Sequence, residues 1–243
     1  MKQTKLEIPG LNAEALFIRP DDIAEFPGVL FLTDIWGPRP GNIGMAERLA
    51  EKGFAVLLPN VVHRYGPIQP DGLETDDPDE NQKRLGQLFQ LLTPQQMVGD
   101  GRAYVEFLKA QKGVKPGKIG VVGYCFMGQM GVRIAADQPD MIAAMASFHG
   151  GFLVTDKPDS PHRILGPIKA RLYFGHAVED ASATPEQVAT LEQALRDWHG
   201  AFQSEVYDGA RHGWTTPGRA VYNELQAERA FEKLVELFDA TLK

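Results

Sequence analysis

The stretch "KIGVVGYCFMGQMGVRIAA", Lys118 to Ala136, decides the fold and contains the only cysteine of the chain, Cys125. Its apolar, β-branched first part, which ends in Gly123, predicts a buried strand, and the residues from Phe126 onward have helical spacing. The cysteine therefore lies on a tight turn that leads from a strand into a helix. Such a turn holds a nucleophile in a strained conformation and pushes it out of the core.

Short apolar segments alternate with amphipathic ones along the rest of the chain. Strands are predicted at Glu14–Pro20, Gly28–Asp34, Phe54–Pro59, Met141–Gly151, Ala170–Ala177 and Ala201–Gly209. Helices are predicted at Gly41–Gly53, Asn81–Gln111 with a break near Thr93–Pro94, Phe126–Gln138, Thr184–Gly200 and Gly218–Leu242, and a long surface loop at Asn60–Glu80. Thr93 and Thr184 are expected helix caps. The alternation predicts an α/β protein with a mostly parallel central sheet and helices on both faces.

Length and composition limit the class of protein further. We expect the 243 residues to form a single domain over 1–243, and one cysteine excludes an intrachain disulfide and fits a reducing compartment. No apolar run approaches the roughly 18 residues of a membrane span, and the N-terminus lacks the apolar block of a secretory signal. A formal net charge of −7 argues against non-specific binding of nucleic acid. We therefore expect a cytoplasmic protein with neither membrane nor nucleic-acid partners.

The turn also offers a chemical reason for a thiol at Cys125. Backbone N–H groups and the dipole at a helix N-terminus favour a thiolate, and the N–H of Phe126 would be free to stabilise an oxyanion. The alternative is that the cysteine is only a small buried hydrophobic residue. Turns of this kind usually have glycine two residues after the nucleophile, but here Met127 occupies that place and Gly128 follows.

A cysteine nucleophile needs a histidine and a third group that orients it. His212 lies in a glycine-rich loop between the last predicted strand and the last helix. On this kind of fold the nucleophile comes first along the chain, the acid second and the histidine last, and His212 fits that order. Asp180, at the end of the preceding strand, is the predicted acid, and Glu179 is the alternative. Both carboxylates could also be solvated charges near a helix N-terminus. No metal-ligand spacing and no glycine-rich nucleotide loop occur, so no metal or other cofactor is expected.

Four motifs together resemble the dienelactone hydrolase (carboxymethylenebutenolidase) family of the α/β-hydrolase fold, over about residues 17–238. They are the "GYC" turn, "FLTDIWG", "HR" after the third strand and "RHGW". The resemblance implies a triad of Cys125, His212 and Asp180 that opens a lactone or ester through a thioester. It also implies that the N–H groups of Ile35 and Phe126 form the oxyanion hole.

The family also suggests roles for residues around the triad. A carboxylate on the "DIWG" loop pairs with the resting thiol in the family; it is usually glutamate, and Asp34 takes its place here. In the family, two arginines hold the carboxylate of the substrate. The resemblance implies Arg64 as the first of them. The second is expected closer to the catalytic histidine, and Arg219 is the nearest candidate. Trp36 and Trp214 flank the predicted site and either form walls of a substrate pocket or complete the core.

Three functions follow from these observations. The first is a hydrolase of a small-molecule lactone or ester, with an anionic substrate as the family implies. The second keeps the triad but acts as a thioesterase or general carboxylesterase. Met127, Asp34 and Thr216 favour this second function, because all three depart from the family pattern. The third is a non-catalytic relative that binds a small ligand. The sequence leaves the oligomeric state open.

Overall fold

The computed structural model describes residues 1–243 and contains one eight-stranded sheet. The strands are β1 (Lys2–Ile8), β2 (Ala13–Arg19), β3 (Gly28–Leu32), β4 (Ala55–Pro59), β5 (Ile119–Tyr124), β6 (Ile142–Phe148), β7 (Arg171–Glu179) and β8 (Phe202–Arg211). Their spatial order is β1-β2-β4-β3-β5-β6-β7-β8. The pairs β1/β2 and β2/β4 are antiparallel, and the other five pairs are parallel. The predicted mostly parallel sheet is confirmed.

Helices cover both faces of this sheet. They are α1 (Pro40–Glu51), α2 (Pro78–Leu91), α3 (Pro94–Lys109), α4 (Met127–Asp137), α5 (Pro185–Trp198) and α6 (Glu224–Leu242), with a short 3-10 helix at Pro161–Arg163. Residues of α1 and α6 share one apolar core with the sheet, and residues of α2 to α5 share the other. The strands between these two layers are buried on both faces, as continuous apolar strands require. No helix combines the length and apolar composition that crossing a bilayer requires.

Two helix starts follow directly from the predicted capping residues. The Thr93 side chain accepts a hydrogen bond from the N–H of Gln96, whose side chain in turn accepts from the N–H of Thr93. Thr184 and Gln187 form the same reciprocal pair at the start of α5. In both helices proline occupies the first turn, where its missing N–H costs nothing.

Other boundaries differ from the prediction. The C-terminal helix begins at Glu224 instead of Gly218, because Asn223 caps it and Gly218 has a left-handed φ of 86°. The long loop ends at Asp77, whose side chain caps α2 by accepting from the N–H of Asp79 at 2.9 Å. Strand β1 was not predicted, since it is a sheet-edge strand with mostly polar, exposed residues.

The turn between β5 and α4 brings two backbone segments unusually close together. A Cβ atom on Gly123 would lie 2.4 Å from the carbonyl oxygen of Met127, and one on Gly128 would lie 2.2 Å from Oγ of Ser147. Met127 therefore does not disrupt the turn: its side chain is buried in the core, and Gly128 makes the close contact with β6. Cys125 lies at the apex with a left-handed φ of 53°.

We expect Gly123→Ala to lower the free energy of unfolding by about 1–3 kcal/mol, because its methyl group would collide with backbone and not with a movable side chain. Urea denaturation measures this difference. Gly86→Ala is the matched control, since Gly86 lies within α2 with open space around it and should gain about 0.5–1 kcal/mol. Equal effects of the two substitutions would contradict the close approach at Gly123.

Candidate active site

Three residues with the predicted catalytic chemistry follow three strands at the same edge of the sheet. Cys125, Asp180 and His212 are the first residues after β5, β7 and β8. The carboxyl ends of parallel strands meet at one edge, and ligands bind there in open α/β sheets. The sheet topology therefore brings together residues that lie up to 87 positions apart in sequence.

These three side chains form a connected chain of contacts. Sγ of Cys125 lies 3.0 Å from Nε2 of His212, and Nδ1 of His212 lies 2.7 Å from Oδ2 of Asp180. The Asp180 side chain is almost completely buried. The structure thus places Asp180 and not Glu179 against the imidazole: Glu179 contributes only its backbone carbonyl, which accepts from the N–H of His212.

Ser182 holds the buried carboxylate in place. Its hydroxyl and its backbone N–H both donate to Oδ1 of Asp180, at 2.7 and 2.8 Å. Asp180 therefore accepts hydrogen bonds on both oxygens, and His212 binds the oxygen that Ser182 leaves free. Although burial opposes ionisation, the contacts with His212 and Ser182 hold the pKa of Asp180 below its ordinary value.

The same contacts favour a charged imidazole. Burial acts to lower the pKa of His212, but the charge of a Cys125 thiolate and the hydrogen bonds to Asp180 and Cys125 outweigh it and raise the pKa to about 10. A histidine with a raised pKa stays protonated at every pH below that value. His212 is therefore protonated at neutral pH, beside the sulfur of Cys125.

Backbone strain is concentrated at this site. Five residues other than glycine have a left-handed φ, and three of them are Cys125 itself, at 53°, and two residues near it, His149 at 41° and Phe152 at 58°. Such conformations persist only where the surrounding structure enforces them, and they occur preferentially at functional sites.

His149 connects the nucleophile turn to the loop that carries His212. Its Nδ1 accepts a hydrogen bond from the N–H of Cys125 at 3.0 Å, so its proton is on Nε2, which donates to Oγ1 of Thr215 at 2.8 Å. Its ring also packs edge-on against His212 and Trp214. Complete burial and the positive charges of His212, Arg219 and Arg39 keep the pKa of His149 well below its ordinary value. His149 is therefore neutral, with a fixed tautomer.

Two backbone amides of the site have no acceptor within the protein. The N–H groups of Ile35 and Phe126 lie outside the helices and strands and donate no hydrogen bond. Both residues are buried, and buried backbone N–H groups almost always have a hydrogen-bond acceptor. The missing acceptors at these two positions therefore call for an explanation. They are the two amides that the family resemblance implies as the oxyanion hole.

Asp34 does not make the predicted contact with the thiol. Its two oxygens accept from Nη1 and Nη2 of Arg39 at 2.7 and 2.6 Å, and Oδ1 also accepts from the N–H of Trp36. The pairing of Asp34 with Cys125 is therefore wrong for this structure. The physical reason is that a buried guanidinium five residues along the chain occupies the carboxylate, while the thiol contacts His212.

The two predicted substrate arginines are also occupied. Arg64 forms a bidentate ion pair with Asp100 of α3, and Arg219 donates to Glu74 at 2.7 Å. Nη1 of Arg219 also lies 4.0 Å from Asp34. Each guanidinium thus already has a carboxylate partner within the protein.

Trp36 and Trp214, which flank the predicted site, complete the core. Trp214 is fully buried between the rings of His149 and Tyr207, which excludes it as a pocket wall. Trp36 is 7% exposed, and its carbonyl accepts from the N–H of Leu73 at 2.8 Å. Trp36 therefore anchors the loop before α2 to the loop after β3.

Sequence reasoning did not assign Arg39, Ser182 or Thr215 to the site. The signal for Ser182 was available, because an aspartate followed two residues later by serine is a local hydrogen-bonding turn. Arg39 carries a weaker signal, as a basic residue just after a buried carboxylate. Nothing in the local sequence connects Thr215 with His149. No group of three or more His, Cys, Asp or Glu side chains converges as a metal site.

The strand order, the strained turn and the Cys–His–Asp contacts define an α/β-hydrolase. The family model of the dienelactone hydrolase family matches residues 13–242, so the chain belongs to that family. Members of this family hydrolyse ester or lactone bonds, and this chain is accordingly a hydrolase of the dienelactone hydrolase type.

Individual relatives are distant in sequence. A Synechocystis protein named "Putative carboxymethylenebutenolidase" is 27% identical over 248 residues, which cover 100% of this chain and 98% of the relative. A "Putative Dienelactone Hydrolase" structure from Klebsiella pneumoniae superposes with a TM-score of 0.84 at 22% identity, covering 98% of both chains. A dienelactone hydrolase-like promiscuous phosphotriesterase from metagenomic libraries has a TM-score of 0.80 at 20% identity, covering 100% of this chain and 98% of the other. Both structural matches show the fold alone.

We expect the imidazole of His212 to titrate near pH 10, and Cys125→Ala to lower that midpoint by about 1 to 3 pH units, because the adjacent negative charge is removed while burial remains. Histidine-resolved NMR titration measures both values. His63, whose surroundings do not include Cys125, is the internal control and should keep its midpoint. An unchanged His212 midpoint would mean that no thiolate is present in the wild-type site.

We expect Thr215→Val to lower the free energy of unfolding by about 1–3 kcal/mol, because the buried Nε2–H of His149 loses its acceptor. Urea denaturation measures the change. Thr216→Val is the matched control: Thr216 is equally buried, but its hydroxyl has no hydrogen-bond partner. A loss of the same size in both variants would count against the contact with His149.

Proposed function

We propose that the chain hydrolyses small lactones or carboxylic esters with Cys125 as nucleophile, His212 as acid and base, and Asp180 as the group that orients the imidazole. The observation that carries the proposal is the pair of contacts at His212: 3.0 Å to the sulfur and 2.7 Å to the buried carboxylate. Nucleophile, base and orienting acid within hydrogen-bond reach are the recognised requirement for covalent catalysis of acyl transfer.

In the first step the Cys125 thiolate attacks the ester carbonyl carbon. The carbonyl electrons move to oxygen, and the free N–H groups of Ile35 and Phe126 support the resulting oxyanion. When the oxyanion collapses, the bond from carbon to the alcohol oxygen breaks, and Nε2 of His212 gives its proton to that oxygen. The products are a thioester on Cys125 and an alcohol, which stays attached to the acyl group if the substrate is a lactone.

In the second step neutral His212 acts as the base. Its Nε2 removes a proton from water, the hydroxide oxygen attacks the thioester carbon, and the same amides hold the oxyanion. The carbon–sulfur bond then breaks, which releases the carboxylic acid and restores the thiolate beside a protonated imidazole. Asp180 supports both steps, because its contact with Nδ1 keeps Nε2 directed at sulfur.

A second candidate keeps this chemistry but changes the substrate to an uncharged ester or thioester. The ion pairs of Arg39, Arg64 and Arg219 favour it, because each guanidinium already has a carboxylate partner. With either substrate the nucleophile must be a free thiol, so we infer a reducing compartment such as the cytoplasm.

We expect Cys125→Ala to lower the hydrolysis of dienelactone and of p-nitrophenyl acetate by at least about a thousandfold, because a methyl group cannot form the thioester. Ultraviolet and visible absorbance follow the two reactions, and mass spectrometry of quenched wild type should show the acyl adduct on Cys125. Turnover of dienelactone supports the family's substrate, and turnover of the phenyl ester alone supports the second candidate. Equal rates for wild type and variant with both substrates would refute the proposal.

A companion pair of variants tests the acid. Asp180→Asn should lower kcat by up to about 10⁴-fold, since an amide cannot enforce the productive tautomer. Glu179→Gln is the matched control at the adjacent position: its exposed side chain makes no contact with His212, so the rate should stay within about twofold of wild type.

A further inference from the structure

Three phenylalanine rings form an aromatic cluster beside the nucleophile. Phe89 belongs to α2, Phe126 follows Cys125, and Phe152 lies in the loop after β6. Their ring centroids are 5.0 Å apart for Phe89 and Phe126, 5.6 Å for Phe89 and Phe152, and 5.5 Å for Phe126 and Phe152. These three residues are called the phenylalanine platform below.

The platform is open to solvent, which is unusual for clustered aromatic side chains. Phe89 is 40% exposed and Phe152 is 42% exposed, although each contacts the other and Phe126. Single exposed apolar residues are ordinary, but contiguous ones mark binding surfaces. Phe152 also keeps a left-handed φ of 58°. The fold thus maintains two unfavourable features at one residue, an exposed ring and a strained backbone, and neither stabilises the protein.

Backbone contacts connect the platform to the catalytic residues. The N–H of Gly151 donates to the carbonyl of Cys125 at 3.2 Å, and the N–H of Phe152 donates to the carbonyl of Ser182 at 3.4 Å. Ser182 is the residue that holds Asp180. The platform is therefore fixed both to the nucleophile turn and to the acid loop, and its residue Phe126 directly follows Cys125.

The charged residues near the site indicate which groups would not bind well. Arg39 and Arg219 line a cavity of about 500 Å³, but they share it with Asp71, Glu74 and Asp76. Both guanidinium groups already contact carboxylates, Arg39 in a buried bidentate pair. A substrate carboxylate would compete with these partners and would meet three acidic residues.

We propose that the phenylalanine platform is a subsite for an apolar, uncharged alkyl or aryl group of the ester. The inference rests on the proposed function, because it assigns the substrate class of the same nucleophile. An apolar group packed against the three rings would cover the exposed faces of Phe89 and Phe152. Binding of such a group accounts for the exposure of both rings.

The first test varies chain length on each side of the ester bond. Across 4-nitrophenyl acetate, butyrate and hexanoate, kcat/KM should rise up to about fourfold for each buried methylene. A parallel series of alkyl acetates shows whether the acyl or the alcohol group uses the platform. Phe152→Ala and Phe89→Ala should reduce the hexanoate-to-acetate ratio at least threefold. Leu225→Ala removes a still more exposed apolar side chain at the start of α6 and should leave the ratio unchanged.

The second test concerns charge at constant length. Wild type should prefer 4-nitrophenyl hexanoate over the 4-nitrophenyl monoester of adipate, which ends in a carboxylate, by at least tenfold in kcat/KM. Preference for the anionic ester would overturn the proposal. So would a flat chain-length series on both sides of the ester bond, or an unchanged ratio in both phenylalanine variants.

A third measurement separates the subsite from the hydrolytic activity. Alkylation of Cys125 by N-ethyl-, N-butyl- and N-hexylmaleimide requires the thiol but no turnover. If wild type hydrolyses none of the esters faster than Cys125→Ala, the proposed function is refuted. The alkylation rates then still test whether the platform binds apolar groups. Rates that rise with chain length and flatten in Phe152→Ala support the platform, and rates independent of chain length in wild type refute it.

Discussion

The close approach of β5 and α4 is the constraint on which the site depends. The carbonyl of Met127 comes so near to position 123 that only glycine fits there. The chain can make this contact only by turning sharply, and the turn places Cys125 at a φ of 53°, with its side chain half-buried beside His212. A backbone requirement thus leaves Cys125 half-buried, while Tyr124 and Phe126 on either side of it are buried.

A strained turn persists only if other contacts hold it. The N–H of Cys125 lies 3.1 Å from the carbonyl of Phe148 and 3.0 Å from Nδ1 of His149, and its carbonyl accepts from Gly128 and Gly151. His149 is strained as well, and its other nitrogen reaches Thr215. The strain at the nucleophile is therefore distributed over β6 and the histidine loop. His149 can accept the hydrogen bond from Cys125 only as a neutral ring, so it stays neutral although it lies next to His212, whose pKa is raised.

The parts of this arrangement that the sequence predicts are those governed by local patterns. Apolar runs, caps and chain order were sufficient to identify the parallel sheet and to bring Cys125, Asp180 and His212 to one edge. The partners of Asp34 and Arg64 could not be predicted, because ion pairing depends on how loops fold over the sheet. Trp214 is similar: its sequence position is compatible with a pocket wall and with the core, and tertiary packing decides that its ring lies against Tyr207.

The charges of the site are balanced within the protein. The sulfur of Cys125 faces the imidazole of His212, which faces Asp180, and the arginines of the surrounding loops face Asp34, Glu74 and Asp100. A site that pairs its own ions offers less electrostatic attraction to a charged ligand, because each new ion pair competes with an existing one. What it leaves unsatisfied is the pair of amides at Ile35 and Phe126 and an exposed aromatic surface. Those unsatisfied groups fit a polarised carbonyl joined to an apolar group, which is the chemistry of an uncharged ester.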